Sequence, residues 1–175
     1  SIRYDKKDFM EVRGGQWLAG DIFAYQVLIE DLKERAGRSS DMFLLHMDKD
    51  VNERVWSSSG NFIKGRSGDR IAGSLNIIST LQYDQERVLV SVYPWKRRDG
   101  GVRPVVYTMQ LATGNFRKVT VGPGRGAQIR SNRTGTMLMA RVPKPGLTTE
   151  HFYYDRSKDE PEWQKISLNF PGISD

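Results

Sequence analysis

Residues 85–121, QERVLVSVYPWKRRDGGVRPVVYTMQLATGNFRKVTV, decide the fold of this chain. They contain three runs rich in apolar and β-branched residues, at 87–93, 105–111 and 116–121, and such runs predict short strands. In the second run, odd-numbered positions hold Val, Tyr, Met and Leu, whereas even-numbered positions hold Val, Thr and Gln. This alternation predicts a strand whose two faces meet different environments. Three consecutive strands predict an antiparallel meander, the unit of sandwiches and propellers.

The composition predicts one soluble globular domain. Of 175 residues, 38% are hydrophobic and 27% are charged, which argues against global disorder. The net charge is +6, but the basic residues are scattered among 21 acidic ones, and the densest basic cluster is only residues 96–98. This distribution does not favour a nucleic-acid partner. No stretch reaches the roughly 18 apolar residues of a membrane span, so no membrane partner is predicted.

The chain has no cysteine, which removes disulfides, thiolate metal sites and cysteine nucleophiles together. A cytoplasmic and a bacterial periplasmic location both remain open on this criterion. The sequence shows no signal-peptide pattern. Ser1 is not a natural start residue, so the sequence leaves open whether the chain begins inside a longer polypeptide.

The rest of the chain continues the β pattern. Strands are predicted at 22–29, 41–48, 53–57, 62–64, 127–130, 136–142, 151–155 and 162–166, with a further apolar run at 75–78. A helix over 23–35 is the alternative to the first of these strands, because residues 30–35 favour helix by composition. Residues 1–16 are polar and predict either a frayed end or an edge strand.

An internal repeat organises these strands. Aligning Val88 with Met137 gives an offset of 49 residues, while Val106 with Phe152 gives 46 and Arg117 with Gln164 gives 47. A third, looser copy lies 63 to 66 residues before the first. Offsets in the high forties are near the period of β-propeller blades, and typical propellers have about 4–8 blades.

The predicted fold is therefore all-β, built of antiparallel meanders that form several blades of a β-propeller. The domain division is 1–16 as an N-terminal edge or frayed segment, 17–170 as a partial propeller of about three blades, and 171–175 as the C-terminal end. A β-sandwich or an open barrel is the alternative if the repeat has no structural basis.

The propeller prediction is supported by a family resemblance. The segments DQERVLV at 84–90, VVY at 105–107, LATG at 111–114 and RKV at 117–119 are similar to blades of the N-terminal propeller in the prolyl oligopeptidase family of serine peptidases. The similarity is to its acylaminoacyl-peptidase-like branch, and it extends to FYYD at 152–155 and WQKI at 163–166. In the DxxTG type of turn that such blades share, the position that usually holds Asp is occupied here by Gln110 or Ala112.

This resemblance implies a non-catalytic role. In that family the propeller covers the active site of an α/β-hydrolase domain and filters substrates by size. The catalytic triad lies wholly in the hydrolase domain, so none of it carries over to this chain. The resemblance therefore implies a propeller segment whose partner is the hydrolase domain of a parent protein.

No catalytic residue, cofactor site or metal site is predicted from the residues themselves. The string GRSG at 65–68 has the wrong spacing for a nucleophile elbow. The two histidines, His46 and His151, each lie in a predicted strand away from other ligand types, which favours neither a catalytic base nor zinc. The glycine-rich segment 122–126 is not followed by a helix and is therefore interpreted as a turn rather than a phosphate loop.

One loop is a candidate partner-contact site. Trp95 is followed by Lys96, Arg97 and Arg98, which join an aromatic ring to three cations. The alternative interpretation is an exposed hairpin loop without a ligand. The loop motivates a second hypothesis for function, a stand-alone β-rich module that binds a protein or a polyanion. Because incomplete propellers expose unpaired strand edges, self-association is also predicted.

Overall fold

The computed structural model describes residues 8–31, 38–58, 72–95 and 102–167. These residues form three four-stranded antiparallel sheets and one short 3₁₀ turn at Pro145–Leu147. The all-β prediction is confirmed. The helix alternative for residues 23–35 is wrong over its described part, because residues 22–31 form a strand with a partner on each side. Pairing along both edges outweighs the weak helix preference of the charged residues at its end.

Sheet 1 contains β1 (Asp8–Trp17), β2 (Ile22–Asp31), β3 (Arg38–His46) and β4 (Val51–Ser57), in that order. Residues 8–16, for which the sequence left an edge strand or a frayed end open, thus form most of an edge strand. A bulge interrupts the register of β1 between Arg13 and Gly15. Gly14 provides the positive φ of +66° that this bulge needs.

Sheet 2 contains β5 (Gly73–Ser79), β6 (Arg87–Pro94), β7 (Val105–Gln110) and β8 (Phe116–Val121). The strand order follows the chain order. The last three strands are the meander predicted from residues 85–121.

Sheet 3 contains β9 (Gln128–Ser131), β10 (Met137–Pro143), β11 (Thr149–Asp155) and β12 (Trp163–Lys165). Here too the order follows the chain. The three copies of the repeat correspond to the second, third and fourth strands of the three sheets. The predicted short strand at 62–64 lies outside the described residues.

Sheet 2 lies between the other two sheets. One of its faces shares an apolar core with sheet 1, and the other face shares a second core with sheet 3. In β7, Tyr107 and Met109 enter the first core and Val106 enters the second. The alternation in this strand therefore separates two different apolar neighbours rather than a core from water. Burial on both faces also explains the run of valines in β6.

Two tryptophans, each in the last strand of its sheet, form hydrogen bonds to a neighbouring sheet. The indole Nε1 of Trp56 in β4 donates a hydrogen bond to the carbonyl oxygen of Gly73 in β5, at 3.2 Å. The indole Nε1 of Trp163 in β12 donates to the carbonyl oxygen of Val121 in β8, at 2.9 Å. Each tryptophan thus places its ring at a sheet interface and satisfies its polar atom on the neighbouring sheet.

The sheets share one orientation. β5 and β9, the first strands of sheets 2 and 3, contact each other, and residues of β1 and β5 line the same cleft. The first strands of neighbouring sheets therefore lie close together, and we call the side on which they meet the inner side of the array. The loops after odd-numbered strands, residues 18–21, 47–50, 80–86, 111–115, 132–136 and 156–162, define the odd-loop end. There the backbone nitrogen of Gln82 donates to the carbonyl oxygen of Arg133 at 3.0 Å. The loops after even-numbered strands define the even-loop end, where Gly126 donates to Val102 at 3.3 Å.

Glu150 of β11 forms an ion pair with each of two lysines, Lys144 at 3.0 Å and Lys165 at 2.7 Å. Hydrogen bonds from Lys165 and Lys144 hold the pKa of Glu150 below its usual 4.5. A lowered carboxyl pKa contributes stability above 4.5 that is lost as pH falls through the folded-state pKa.

We therefore expect Glu150→Gln to remove a small part of the acid dependence of stability, because exposed ion pairs contribute little. Thermal unfolding at a series of pH values checks this. The wild type should lose more stability than the variant when the pH falls from neutral to about 3. That pH lies on the order of one unit below the usual pKa range of carboxyl groups. Glu160→Gln, an exposed site in the next loop, is the matched control. Identical pH profiles for the wild type and Glu150→Gln would contradict the assignment.

Among the described residues, no helix has the length and apolar character needed to cross a membrane.

Candidate functional site

Within the described residues, three of the clefts lie at interfaces between the sheets. The first has a volume of about 330 Å³ and lies between the inner strands of sheets 1 and 2. Its wall includes the bulge of β1 and residues 76–77 of β5. Gln26 crosses the interface and donates from Nε2 to the carbonyl oxygen of Leu75 at 2.8 Å. The charge of Arg13, also in the wall, is paired with Glu11 at 2.9 Å, so this cleft offers mainly backbone and amide groups.

Next to the bulge, the backbone of β1 lies against a ring of the neighbouring strand. A Cβ at Gly15 would lie 2.5 Å from Cζ of Phe23. Phe23 belongs to a row of rings on sheet 1, with centroids 5.1 Å from Trp17 and 6.4 Å from Tyr25. Gly15 therefore permits a close approach that any side chain would block.

The second cleft, of about 320 Å³, lies between sheets 1 and 2 at the odd-loop end. His46 lines it at the end of β3 and is only 5% exposed. Asp21, Asp48 and Glu86 also line it. In the part of the chain that the structure describes, no group of three or more His, Asp or Glu side chains is placed to hold a metal ion. His151, the other histidine, lies in β11 of sheet 3.

The third cleft, of about 270 Å³, lies between sheets 2 and 3 at the odd-loop end. Two guanidinium groups line it, those of Arg87 from β6 and Arg156 from the loop after β11. Nε of Arg87 is paired with Oδ2 of Asp84 at 2.6 Å. Nη1 of Arg156 donates to the carbonyl oxygen of Gly135 at 2.6 Å. We call this site the two-arginine cleft.

Electrostatics in the two-arginine cleft follow from burial and from like charge. Burial lowers the pKa of the Arg156 guanidinium, and the positive charge of Arg87 lowers it as well, whereas Tyr154 and Asp84 raise it. Both cations thus act on the same small volume. Hydroxyl groups surround them and complete a lining rich in hydrogen-bonding atoms: Thr108, Thr134, Thr136 and Ser157.

Of the residues predicted as a partner-contact site, Trp95 is described, and it lies directly after β6 at the even-loop end, away from the two-arginine cleft. Trp95 is 52% exposed, and its backbone nitrogen donates to the carbonyl oxygen of Ala72 at 2.8 Å. Lys96, Arg97 and Arg98 lie outside the described residues, as does the string at 65–68. Residues 122–126 form a turn between β8 and β9, as the sequence predicted, and Gly122 donates to Pro104 at 2.7 Å.

Sequence reasoning misses the two-arginine cleft. It places Arg87 in a strand and does not single out Arg156. Arg87 lies in sheet 2, whereas Arg156 lies in a loop that joins two strands of sheet 3, and the two residues share no local motif. The one local signal is the spacing of Asp84 and Arg87, which form an ion pair across three positions, and that pair by itself indicates only a stabilised turn.

The geometry defines a class of fold: four-stranded antiparallel sheets in chain order, packed face to face with their first strands on the inner side, are propeller blades. A solved structure with this arrangement is the β-propeller domain of the trilobed protease from Pyrococcus furiosus, described as having an open velcro topology. The TM-score is 0.54 at 11% sequence identity. The match covers 95% of this chain and 46% of that chain.

No family model matches this chain, and no curated protein matches it. At 11% identity the structural likeness shows the fold alone, which is that of β-propeller blades. The chain spans less than half the length of the solved propeller chain that it matches. Sheets 1, 2 and 3 are called blades 1, 2 and 3 below.

Proposed function

We propose that this chain is a non-catalytic β-propeller segment of a serine hydrolase of the prolyl oligopeptidase type. In this proposal it controls the access of substrates to an α/β-hydrolase domain of the same parent protein. The observation that carries the proposal is the structural likeness to the propeller domain of a protease, of which this chain covers 46%. The resemblance of residues 84–119 to blades of this peptidase family supports it independently.

The packing of the blades supports a role in filtering by size. Two apolar cores hold blade 2 rigidly against both neighbours. The spaces left between the blades have volumes of about 270 to 330 Å³. Spaces of this size accept a few side chains but no folded domain. A wall with spaces of this size would stop folded domains, as a size filter requires.

The experiment that tests the proposal measures the native size of the polypeptide that carries this sequence. An immunoblot of source cells is combined with a fluorophosphonate probe, which labels active serine nucleophiles, on the same sample. A band much larger than 20.0 kDa that takes the probe is the expected result. A 20.0 kDa band that does not react would overturn the proposal.

The filtering role has its own test in the full-length enzyme. Val55→Ala removes a side chain that is buried in the core between blades 1 and 2, and so loosens that interface. We expect the ratio of kcat/KM for long peptides to kcat/KM for short peptides to rise. Met139→Ala, at an exposed position on blade 3, should leave the ratio unchanged. An unchanged ratio in Val55→Ala would argue against a filter at this interface.

We also propose that the isolated chain associates with itself through its strand edges. Within the described residues, β1 pairs only with β2, and Val12 on β1 is 67% exposed. An edge strand with free backbone groups is a template for another chain. Sedimentation velocity over a concentration series should show growing species. Val12→Lys should reduce the association because charge blocks edge pairing, whereas Met139→Lys should not. A single monomeric species at every concentration would contradict this prediction.

A second candidate function is a stand-alone module that binds a protein or a polyanion. The exposure of the Trp95 ring, next to the basic residues 96–98, is the observation that favours it. Binding to heparin should then fall with salt and be lost when Lys96, Arg97 and Arg98 are replaced by Gln. Binding that is absent or independent of salt would contradict this second function and would not affect the propeller-segment proposal.

A further inference from the structure

We propose that the two-arginine cleft between blades 2 and 3 binds a carboxylate group of a peptide. The proposal needs no hydrolase domain and concerns only the residues of this chain. It rests on the convergence of Arg87 and Arg156 on one cleft of about 270 Å³, together with the hydroxyl groups in its wall.

The guanidinium of Arg87 retains donors for a ligand. A guanidinium has five N–H donors in a planar fork that matches the two oxygens of a carboxylate. Within the described residues, the side chain of Arg87 is bonded to Asp84, and this bond uses Nε. The side chain is 53% exposed, so its outer nitrogens are accessible from solvent.

Arg156 is held in place before any ligand arrives. Its Nη1 donates to the carbonyl oxygen of Gly135 and its backbone nitrogen donates to that of Thr136 at 2.8 Å. Gly135 is buried and has a φ of +73°, so the turn that presents this carbonyl is fixed. A fixed donor loses little conformational entropy on binding, which favours recognition.

The hydroxyl groups add a further donor. The hydroxyl oxygens of Thr134 and Thr136 lie 2.9 Å apart, and either one can be the donor in that bond. Whichever donates, the hydrogen of the other hydroxyl is left for an acceptor, such as a carboxylate oxygen. At the rim, the ring of Tyr83 is 81% exposed and offers an apolar surface for a neighbouring side chain of the peptide.

Charge selects the class of ligand. The two arginines and Asp84 leave the cleft with one unit of positive charge. A single carboxylate neutralises it, whereas a phosphate dianion would overcompensate. If Arg156 served only to cap the Gly135 turn, that role would explain its hydrogen bond from Nη1 to the carbonyl oxygen of Gly135. It would not explain why a second cation, Arg87, lines the same cleft. The lowered pKa of Arg156 agrees with a site that gains stability from an added anion.

The test uses the 175-residue chain and two tripeptides, acetyl-Gly-Gly-Phe with a free carboxylate and the same peptide with a carboxamide. NMR titration at millimolar peptide measures binding. We expect the amide to bind at least about tenfold more weakly, because a hydrogen bond between two charged groups is stronger than one from a charged donor to a neutral acceptor. Arg87→Gln should weaken the binding of the free-acid peptide by a similar factor. Added salt should also weaken the binding of this peptide.

Controls separate the cleft from general charge. Arg125→Gln removes one exposed cation at the even-loop end and should leave binding unchanged. Arg156→Lys keeps the charge but loses the fork, and should weaken binding while its unfolding temperature reports on the fold. The proposal is overturned if acid and amide bind equally, if neither binds, or if Arg125→Gln weakens binding as much as Arg87→Gln. Tighter binding of inorganic phosphate than of the peptide acid would also overturn the assignment to carboxylate.

Discussion

Replacement of Trp56 by alanine is expected to lower the free energy of unfolding by about 3–5 kcal/mol. The side chain is 1% exposed and is among the largest that are fully buried. Its ring lies 5.8 Å from that of Phe116, so it fills space between blades 1 and 2. The substitution also leaves the carbonyl oxygen of Gly73 without the indole donor. Urea unfolding followed by circular dichroism measures the change.

Trp95→Ala is the matched control, since it removes the same side chain from a position that is 52% exposed. Its effect should stay within about 0.5 kcal/mol. Trp56→Phe separates the two contributions at the buried site, because it keeps most of the ring and removes the donor. That variant should cost about 1–3 kcal/mol, the penalty of a buried acceptor that loses its partner. Equal effects of Trp56→Ala and Trp95→Ala would contradict the packing of blades 1 and 2.

Gly73→Ala should destabilise the chain by about 3 kcal/mol, the upper part of the usual range for overpacking. A Cβ at this position would overlap the carbonyl oxygen of Tyr93 and lie 2.9 Å from Cα of Pro94. Both atoms belong to the backbone of β6, which cannot move aside as a flexible side chain can. Relief of the clash would separate β5 from β6 at the point where Trp56 is also bonded.

Gly146→Ala is the control for this prediction. Gly146 has a φ of +77°, and a Cβ at this position would have no neighbouring atom within 4 Å, so alanine there meets conformational strain but no clash. The expected cost is about 1–2 kcal/mol. Thermal unfolding of both variants gives the comparison. If Gly73→Ala lowers the free energy of unfolding no more than Gly146→Ala does, the predicted clash with the backbone of β6 is contradicted.

The strands that sequence reasoning locates best are those with a strong local pattern. The run at 116–121 coincides with β8, and the runs at 87–93 and 105–111 differ from β6 and β7 by one residue. Alternation and β-branched residues act within a few positions, so a single segment carries the signal. The ends of β2 and β3 are less well located, because residues 30–31 and 38–40 lack that pattern and are strand through pairing alone.

The candidate sites differ from the strands in how far the sequence predicts them. The sequence singles out Trp95, Lys96, Arg97 and Arg98 because they are adjacent, and adjacency is visible in a linear chain. The two-arginine cleft joins Arg87 of blade 2 to Arg156 of blade 3, and nothing local relates these positions. Only the packing of the blades brings their guanidinium groups to one cleft.

By itself, the sequence determined an all-β chain with three related groups of strands, because the period of hydrophobicity is a local property. It also determined that β7 presents two distinct faces. The tertiary structure alone decided that both faces are buried, one against blade 1 and the other against blade 3. Which faces meet depends on the shapes of side chains from segments that are far apart in the chain. The clefts and their charges arise from those meetings, and so they exist only in the folded molecule.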